Sequence, residues 1–314
     1  MLQRLLSKRR IIRLLKLCFV ASALLVLSAQ LFAQQPGQKT FTSPEEASNA
    51  LYAAVRSRDQ AAILDIFGPD GDGVISALDG VLDENAQDHF VSRYREAHGL
   101  AKDESGTVTL YIGVDDWPFP VPLVGEGVVW HFDTDAGKQE VLYRRVGENQ
   151  RAAINVCHAL VDAENDYYSQ SRDGRVKQYA QTLTSDEGQH NGLFWRTADG
   201  EPESPIGPLL ANAEGVRGDN PQGERSPFHG YYLRILTGQG GTAGDNARSY
   251  IRNGEMTAGF AILAYPVEYG SSGVMTFIVN QNGLVYQNDL GEETTKVASA
   301  MEEYAPDESW KTAE

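Results

Sequence analysis

Three carboxylates fall in the run Gly68-Pro69-Asp70-Gly71-Asp72-Gly73-Val74-Ile75-Ser76-Ala77-Leu78-Asp79, the nearest approach in this chain to a metal-binding motif. Set against the 12-residue calcium loop, Asp70 and Asp72 take the third and fifth places, Gly73 the sharp-turn sixth and Asp79 the twelfth. Gly68 brings no carboxylate to the first place, and Asp79 is shorter than the usual bidentate Glu. An acidic, Gly-rich turn between helices is therefore the plainer reading. A second candidate set is Trp117, Trp130 and His131, an imidazole with two indoles on predicted β structure that would line a small-ligand pocket. For His131 to act as a general base it needs a positioned carboxylate, and Asp115 or Asp116 is the nearest in sequence. An exposed strand histidine is the plainer reading.

The remaining reactive residues carry less. The six histidines, at 89, 98, 131, 158, 190 and 229, form no metal-ligand spacing. Cys157 sits on the apolar stripe of a predicted helix, where burial raises a thiol pKa and leaves it inert. Ser271-Ser272 lacks the Gly-x-Ser-x-Gly spacing of a nucleophile elbow. The glycines at 238, 240, 241 and 244 do not lead from a strand into a helix, so they make no phosphate-cradling loop. Tyr231, Tyr232, Tyr265 and Tyr269 are expected to pack in a sheet. No catalytic set and no cofactor is expected, and the enzyme reading takes second place to binding.

The first 33 residues set the expected address. Arg4, Lys8, Arg9, Arg10, Arg13 and Lys16 precede an apolar stretch from Leu17 to Phe32, the pattern of a signal peptide ending near Ala33. An uncleaved N-terminal anchor is the alternative, and would be the chain's one contact with a membrane. Of 27 basic residues, removal of these six leaves 21 against 43 acidic ones, a net charge of −22. Such a surface repels nucleic acid and anionic lipid. A periplasmic or secreted protein is expected, with an envelope protein as its unidentified partner. Only Cys157 lies beyond the leader, so no internal disulfide is expected.

The elements that would position these residues read as an α+β fold in two domains. After a linker at 34–42, Ser43-Pro44-Glu45-Glu46 opens a helix through a capping box. Ala62 to Phe67 gives a second helix and Asn85 to Ala97 a third, stopped by Gly99. Period-two alternation from Val108 to Val114 marks a strand, and Trp117 to Pro122 an edge strand or a bent connection. Val128–Phe132 and Glu140–Val146 are predicted strands around a turn at Thr134–Lys138. From Glu148 a long amphipathic helix carries Ile154, Cys157, Val161 and Tyr168 on one stripe, and Arg172-Asp173-Gly174 ends it. A polar loop at 184–228 has apolar anchors at Leu193-Phe194-Trp195 and Ile206 to Leu210. Tyr231–Thr237 is a strand, Ala258–Gly291 an antiparallel meander turning at Asn280-Gln281-Asn282-Gly283, and Glu293–Tyr304 a closing helix.

The order helices then meander over 43–147 resembles the cone of the nuclear-transport-factor-2-like superfamily, which implies a fold but no activity. The helix with Glu164 and Tyr167-Tyr168, the strand Tyr231-Tyr232-Leu233-Arg234-Ile235, and the runs Ser272 to Phe277 and Asn282 to Tyr286 resemble the globular head of type IV pilins and pseudopilins over 148–314. Tyr143-Arg144-Arg145-Val146-Gly147 stands where a pilin has its apolar polymerisation stem, so filament building is not implied. Trp117-Pro118-Phe119-Pro120, Phe132-Asp133-Thr134 with Gly137-Lys138, and Arg144-Arg145 with Asn149 make the chain similar to a secreted bacterial family catalogued as domain of unknown function 2950. That resemblance brings no activity. The expectation is an exported, non-catalytic binding or assembly module of the envelope, with a ligand binder or enzyme using the first domain's cone pocket as the alternative.

Overall fold

A computed structural model describes residues 34–69, 71, 84–197, 203–207, 227–241 and 247–313; the side chains of 84–86 and 126 are not included. The fold is α+β, with helices and antiparallel sheets in each of two compact units, the first ending at Val141 and the second beginning at Leu142.

In the first unit, α1 (Pro44–Ser57) starts where Ser43 accepts the backbone N–H of Glu46, and Glu46 accepts the backbone N–H of Thr42 at 2.7 Å. Asp59 caps α2 (Gln60–Phe67) by accepting the N–H of Ala62. The helix α3 (Glu84–Glu96) runs into β1 (His98–Lys102), so Gly99 lies inside a strand and does not stop the helix. The sheet continues with β2 (Val108–Ile112), β3 (Trp117–Pro118), β4 (Leu123–Glu126) and β5 (Val129–Phe132). Its order is β1-β2-β4-β5 with β3 beside β2, all antiparallel. Val108, Leu110 and Ile112 alternate into the core, where the rings of Phe67, Phe90, Phe119 and Phe132 meet at 5.4 to 6.4 Å between centroids. Each buried phenyl contributes about 1.5–3 kcal/mol of transfer free energy.

The segment read as a linker is part of this unit. Phe41 exchanges two backbone hydrogen bonds with Trp130, and the buried Gln38 amide donates to the carbonyls of Ile66 and Phe132. A buried amide needs such partners, and they fasten residues 38–41 across α2 and β5.

The predicted turn at Thr134–Lys138 and strand at Glu140–Val146 are instead the N-terminal part of a 36-residue helix, α4 (Thr134–Ser169). Asp133 starts it, accepting the N–H of Ala136 on its side chain and that of Gly137 on its carbonyl. Buried Thr134, Gly137 and Val141 follow a helical period, and Val121 fills the space where a Gly137 side chain would stand, at 2.7 Å. The glycine is there for close approach to Val121.

In the second unit α4 shares a core with a five-stranded antiparallel sheet ordered β15-β13-β12-β11-β6: β6 (Tyr231–Leu236), β11 (Ala261–Pro266), β12 (Met275–Asn280), β13 (Tyr286–Asp289) and β15 (Lys311–Thr312). Ala153, Val156, Cys157, Leu160 and Tyr167 pack in one cluster with Tyr231, Phe260, Leu263 and Phe277. The Gln150 side chain ties the helix to β12 by accepting the N–H groups of Val274 and Met275. All six residues of β11 are buried. Since consecutive strand residues face opposite sides, β11 is covered on both. Gly283, at φ +76°, donates to Asn280 O and closes the β12–β13 turn. Short strands complete the unit: β7 (Gly238–Gln239), β8 (Arg248–Ser249), β9 (Ile251–Arg252) and β10 (Glu255–Met256). The closing helix is shorter than expected. A single 3-10 turn leads into α5 (Thr294–Ala300), and Glu303–Tyr304 is β14, paired parallel to β7. Leu193, Trp195 and Ile206 anchor the described parts of the 184–228 loop in the core, while residues 208–210 lie outside the described residues.

Candidate functional site

The Trp117, Trp130 and His131 positions do not converge. Trp130 points into the first unit's core at 8% exposure, its indole N–H donating to Gly127 O and the Lys102 ammonium 5.5 Å from its ring. His131 follows it on the strand and so takes the other face, also buried. Burial pushes the His131 pKa down, and Asp133, not Asp115 or Asp116, is the carboxylate that acts against that shift. Asp115 is paired with Arg93. Asp70, Asp72 and Asp79 lie outside the described residues. Among the described residues no group of three or more His, Cys, Asp or Glu is placed to hold a metal ion.

Trp117 stands on a built turn. Gly113 at φ +81° and Asp116 at φ +50° bend the chain after β2, and the Gly113 N–H donates to the carbonyls of Arg93 and Ala97 at the end of α3. Arg93 donates to Ile112 O, pairs with Asp115 and lies 6.0 Å from the Trp117 ring. The turn thus held presents Val114 at 75% exposure and Trp117 at 37%. Val114 and Trp117 form an exposed apolar pair on a hydrogen-bonded turn.

A second cluster, absent from the sequence reading, forms where α4 ends. Arg172 donates to the carbonyls of Tyr167 and Gln170, and its guanidinium carbon lies 4.4 Å from the Tyr167 ring centre and 5.6 Å from that of Trp195. Tyr167 Oη donates to His190 O at 2.6 Å. Asp173 accepts the His190 backbone N–H on Oδ2 and faces His190 Nδ1 with Oδ1 at 2.9 Å. The His190 side-chain hydrogen bond, first among several causes, holds the Asp173 carboxyl below its usual value. An ionised carboxylate only accepts, so Nδ1 carries the proton and Nε2 is left as the second ring nitrogen. The imidazole stands edge-on to Trp195 at 4.9 Å. The sequence signal was available in principle: an Arg-Asp-Gly helix end followed by a histidine. Their pairing spans 17 residues of irregular chain, and no periodicity encodes that.

Beneath this cluster lies Glu164, fully buried. Its Oε2 accepts the Ala180 N–H at 2.8 Å and its Oε1 has no hydrogen-bond partner among the described residues. Burial pushes its pKa well above 4.5. Cys157 is buried as expected, and burial pushes its thiol up to about 12. Tyr231 is a packing residue whose hydroxyl donates to Met275 O, and Ser272 closes a turn on the backbone of Glu268.

No curated protein and no solved structure matches the chain, so the pilin-head and cone resemblances gain no structural relative. The family model described as "Protein of unknown function (DUF2950)" matches residues 38–313, nearly the whole described length, and the chain belongs to that family.

Proposed function

We propose that this protein is exported to the bacterial envelope and serves there as a non-catalytic binding or assembly module, meeting a protein partner through the Val114–Trp117 turn. The observation that carries this reading is the exposure of Val114 and Trp117 on a turn clamped by Arg93. Large apolar side chains held out on a rigid backbone lose little conformational freedom on binding, and tryptophan is the residue type most enriched at binding hot spots. The leader-like first 33 residues support the address. The alternative, a small ligand enclosed in the first unit, is disfavoured by the Phe67, Phe90, Phe119 and Phe132 rings that already pack there.

The test is capture from solubilised envelope, comparing the natural chain with Trp117→Ala and Val114→Ser. Loss of one specific partner band from both variants, with circular dichroism unchanged, is the expected result. An identical capture profile for all three proteins would refute the docking site. N-terminal sequencing of the protein recovered outside the cytoplasm is expected to begin near Gln34.

A further inference from the structure

The strand β1 ends the first unit's sheet, and its outer side carries backbone groups that the sheet does not use. Gly113 donates to Ala97 O, and Asp103 donates to Thr107 O, at the two ends of the β1–β2 ladder. In an antiparallel pair the hydrogen-bonded positions recur every second residue. Gly99 and Ala101 therefore bond their register partners Tyr111 and Thr109, and His98, Leu100 and Lys102 turn their N–H and C=O groups away from β2. Those groups make no hydrogen bond among the described residues. The strand is also open to solvent. Leu100 is half-buried against the core, and the other four residues are exposed. An uncovered edge of this kind is a template for another strand.

The side chains say which strand fits. From Ala97 to Lys102 there is no carboxylate, in a chain with 43 acidic residues. Asp103, the first one beyond the strand, is engaged in its own turn, accepting from Ser105 and Thr107. The His98 imidazole stacks on Tyr94 at 4.0 Å, and its Nδ1 lies 2.8 Å from Tyr94 O. A carbonyl only accepts, so Nδ1 carries the proton and the neutral ring keeps Nε2 as an acceptor. The Lys102 ammonium is a donor only. A second β1, laid antiparallel with Leu100 opposite Leu100, sets each His98 acceptor against the second copy's Lys102 donor and Gly99 against Ala101. We propose that the protein self-associates through β1, two copies pairing antiparallel about a two-fold axis at Leu100 and joining their first-unit sheets. Such an interface is isologous and closes on itself as a dimer. One strand pair is smaller than a standard interface, so the dimer is a weak, reversible one. The net charge of −22 that each copy carries from residue 34 onward opposes it, and salt relieves that opposition. The pairing does not rest on the Val114–Trp117 docking site.

The experiment is sedimentation equilibrium of the chain from residue 34 onward, between about 10 μM and about 1 mM, with backbone amide NMR shifts followed over the same range. A monomer–dimer equilibrium with a Kd of about 0.1 to 1 mM is expected, several-fold tighter in about 0.3 M than in about 0.02 M sodium chloride. The amide protons of His98, Leu100 and Lys102 are expected to shift with concentration. Those of Gly99 and Ala101, already bonded to β2, are expected to stay nearly fixed. Leu100→Lys sets two ammonium groups opposite each other at the axis and is expected to weaken the dimer about tenfold or more. Lys102→Pro removes an N–H that β2 does not use, together with the ammonium, and is expected to abolish the dimer over this range. It decides the matter if Leu100→Lys lowers the melting temperature. A chain that stays monomeric to about 1 mM would overturn the pairing. So would a dimer unchanged in either variant that melts like the natural chain, or shifts confined to residues outside β1.

Discussion

A carboxyl with no access to solvent titrates against its surroundings, and Glu164 is such a group on the sheet-facing side of α4. Burial favours its neutral form, and the Ala180 N–H only partly opposes that. The folded chain therefore keeps a proton that the unfolded chain releases above about 4.5. Raising the pH favours the unfolded state: this contribution is complete below 4.5 and is lost as pH climbs toward the raised folded value. The slope for one proton is about 1.4 kcal/mol per pH unit. Gln has the same shape and cannot ionise. Glu164→Gln is expected to match the natural chain near pH 4 and to exceed it progressively at higher pH, measured by urea unfolding at a series of pH values. Parallel stability curves for the two proteins would remove the argument. The sequence named Glu164 for its place in a resemblance and not for burial. Of the stripe Ile154, Cys157, Val161 and Tyr168, Cys157 and Val161 are buried and Ile154 and Tyr168 half-buried; Leu160 and Tyr167 beside it are buried as expected, and Ala153, Val156 and Glu164 widen the buried face. Sheet packing decides how far the buried face extends beside that stripe, and spacing alone does not.

The same helix shows how local signals mislead about element boundaries. Asp135, Gly137, Lys138 and the apolar residues Val141 to Tyr143 suit a turn and a strand, and Gly147 suits a boundary. Asp133 as a cap and the tertiary site around Val121 override those signals. The strands of the meander and the Asn280–Gly283 turn were legible because short unbroken apolar runs suit strands covered on both faces and Asn-Gly suits the tight turn between them. The short strands β4 and β14 were not, because a few residues of ladder are specified by their partners. The two helical glycines separate the effects. A side chain at 147 meets nothing within 4 Å, so Gly147→Ala is expected to stabilise the chain by about 1 kcal/mol, the difference in helix propensity. A side chain at 137 meets Val121 at 2.7 Å, and Gly137→Ala is expected to destabilise it despite the same propensity gain. Thermal unfolding of the two variants checks both signs. Equal shifts in one direction would mean that Val121 does not decide the matter.

Across the whole chain the dominant quantity is charge. From residue 34 onward 43 acidic residues face 21 basic ones. Many of the ion pairs that do form are exposed, as Arg58–Asp88 and Lys296–Glu293 are, and exposed pairs are worth at most about 1 kcal/mol each. The excess of like charge disfavours the compact state, since unfolding lets the carboxylates move apart. Salt screens that repulsion over about 10 Å at 0.1 M. The chain is therefore expected to melt a few degrees higher in 0.15 M sodium chloride than at low ionic strength, with potassium chloride giving the same shift. A flat or falling melting temperature would show that attractive pairs, not repulsion, dominate its electrostatics. Calcium chloride at matched ionic strength adds a second reading, because only a chelating site distinguishes it from screening. The acidic run holding Asp70, Asp72 and Asp79 lacks the first-place carboxylate and the terminal Glu of a calcium loop. The expected outcome is a shift no greater than sodium's beyond general divalent screening. A saturable extra rise at millimolar calcium, abolished by Asp70→Asn with Asp72→Asn, would instead assign those carboxylates to the ion.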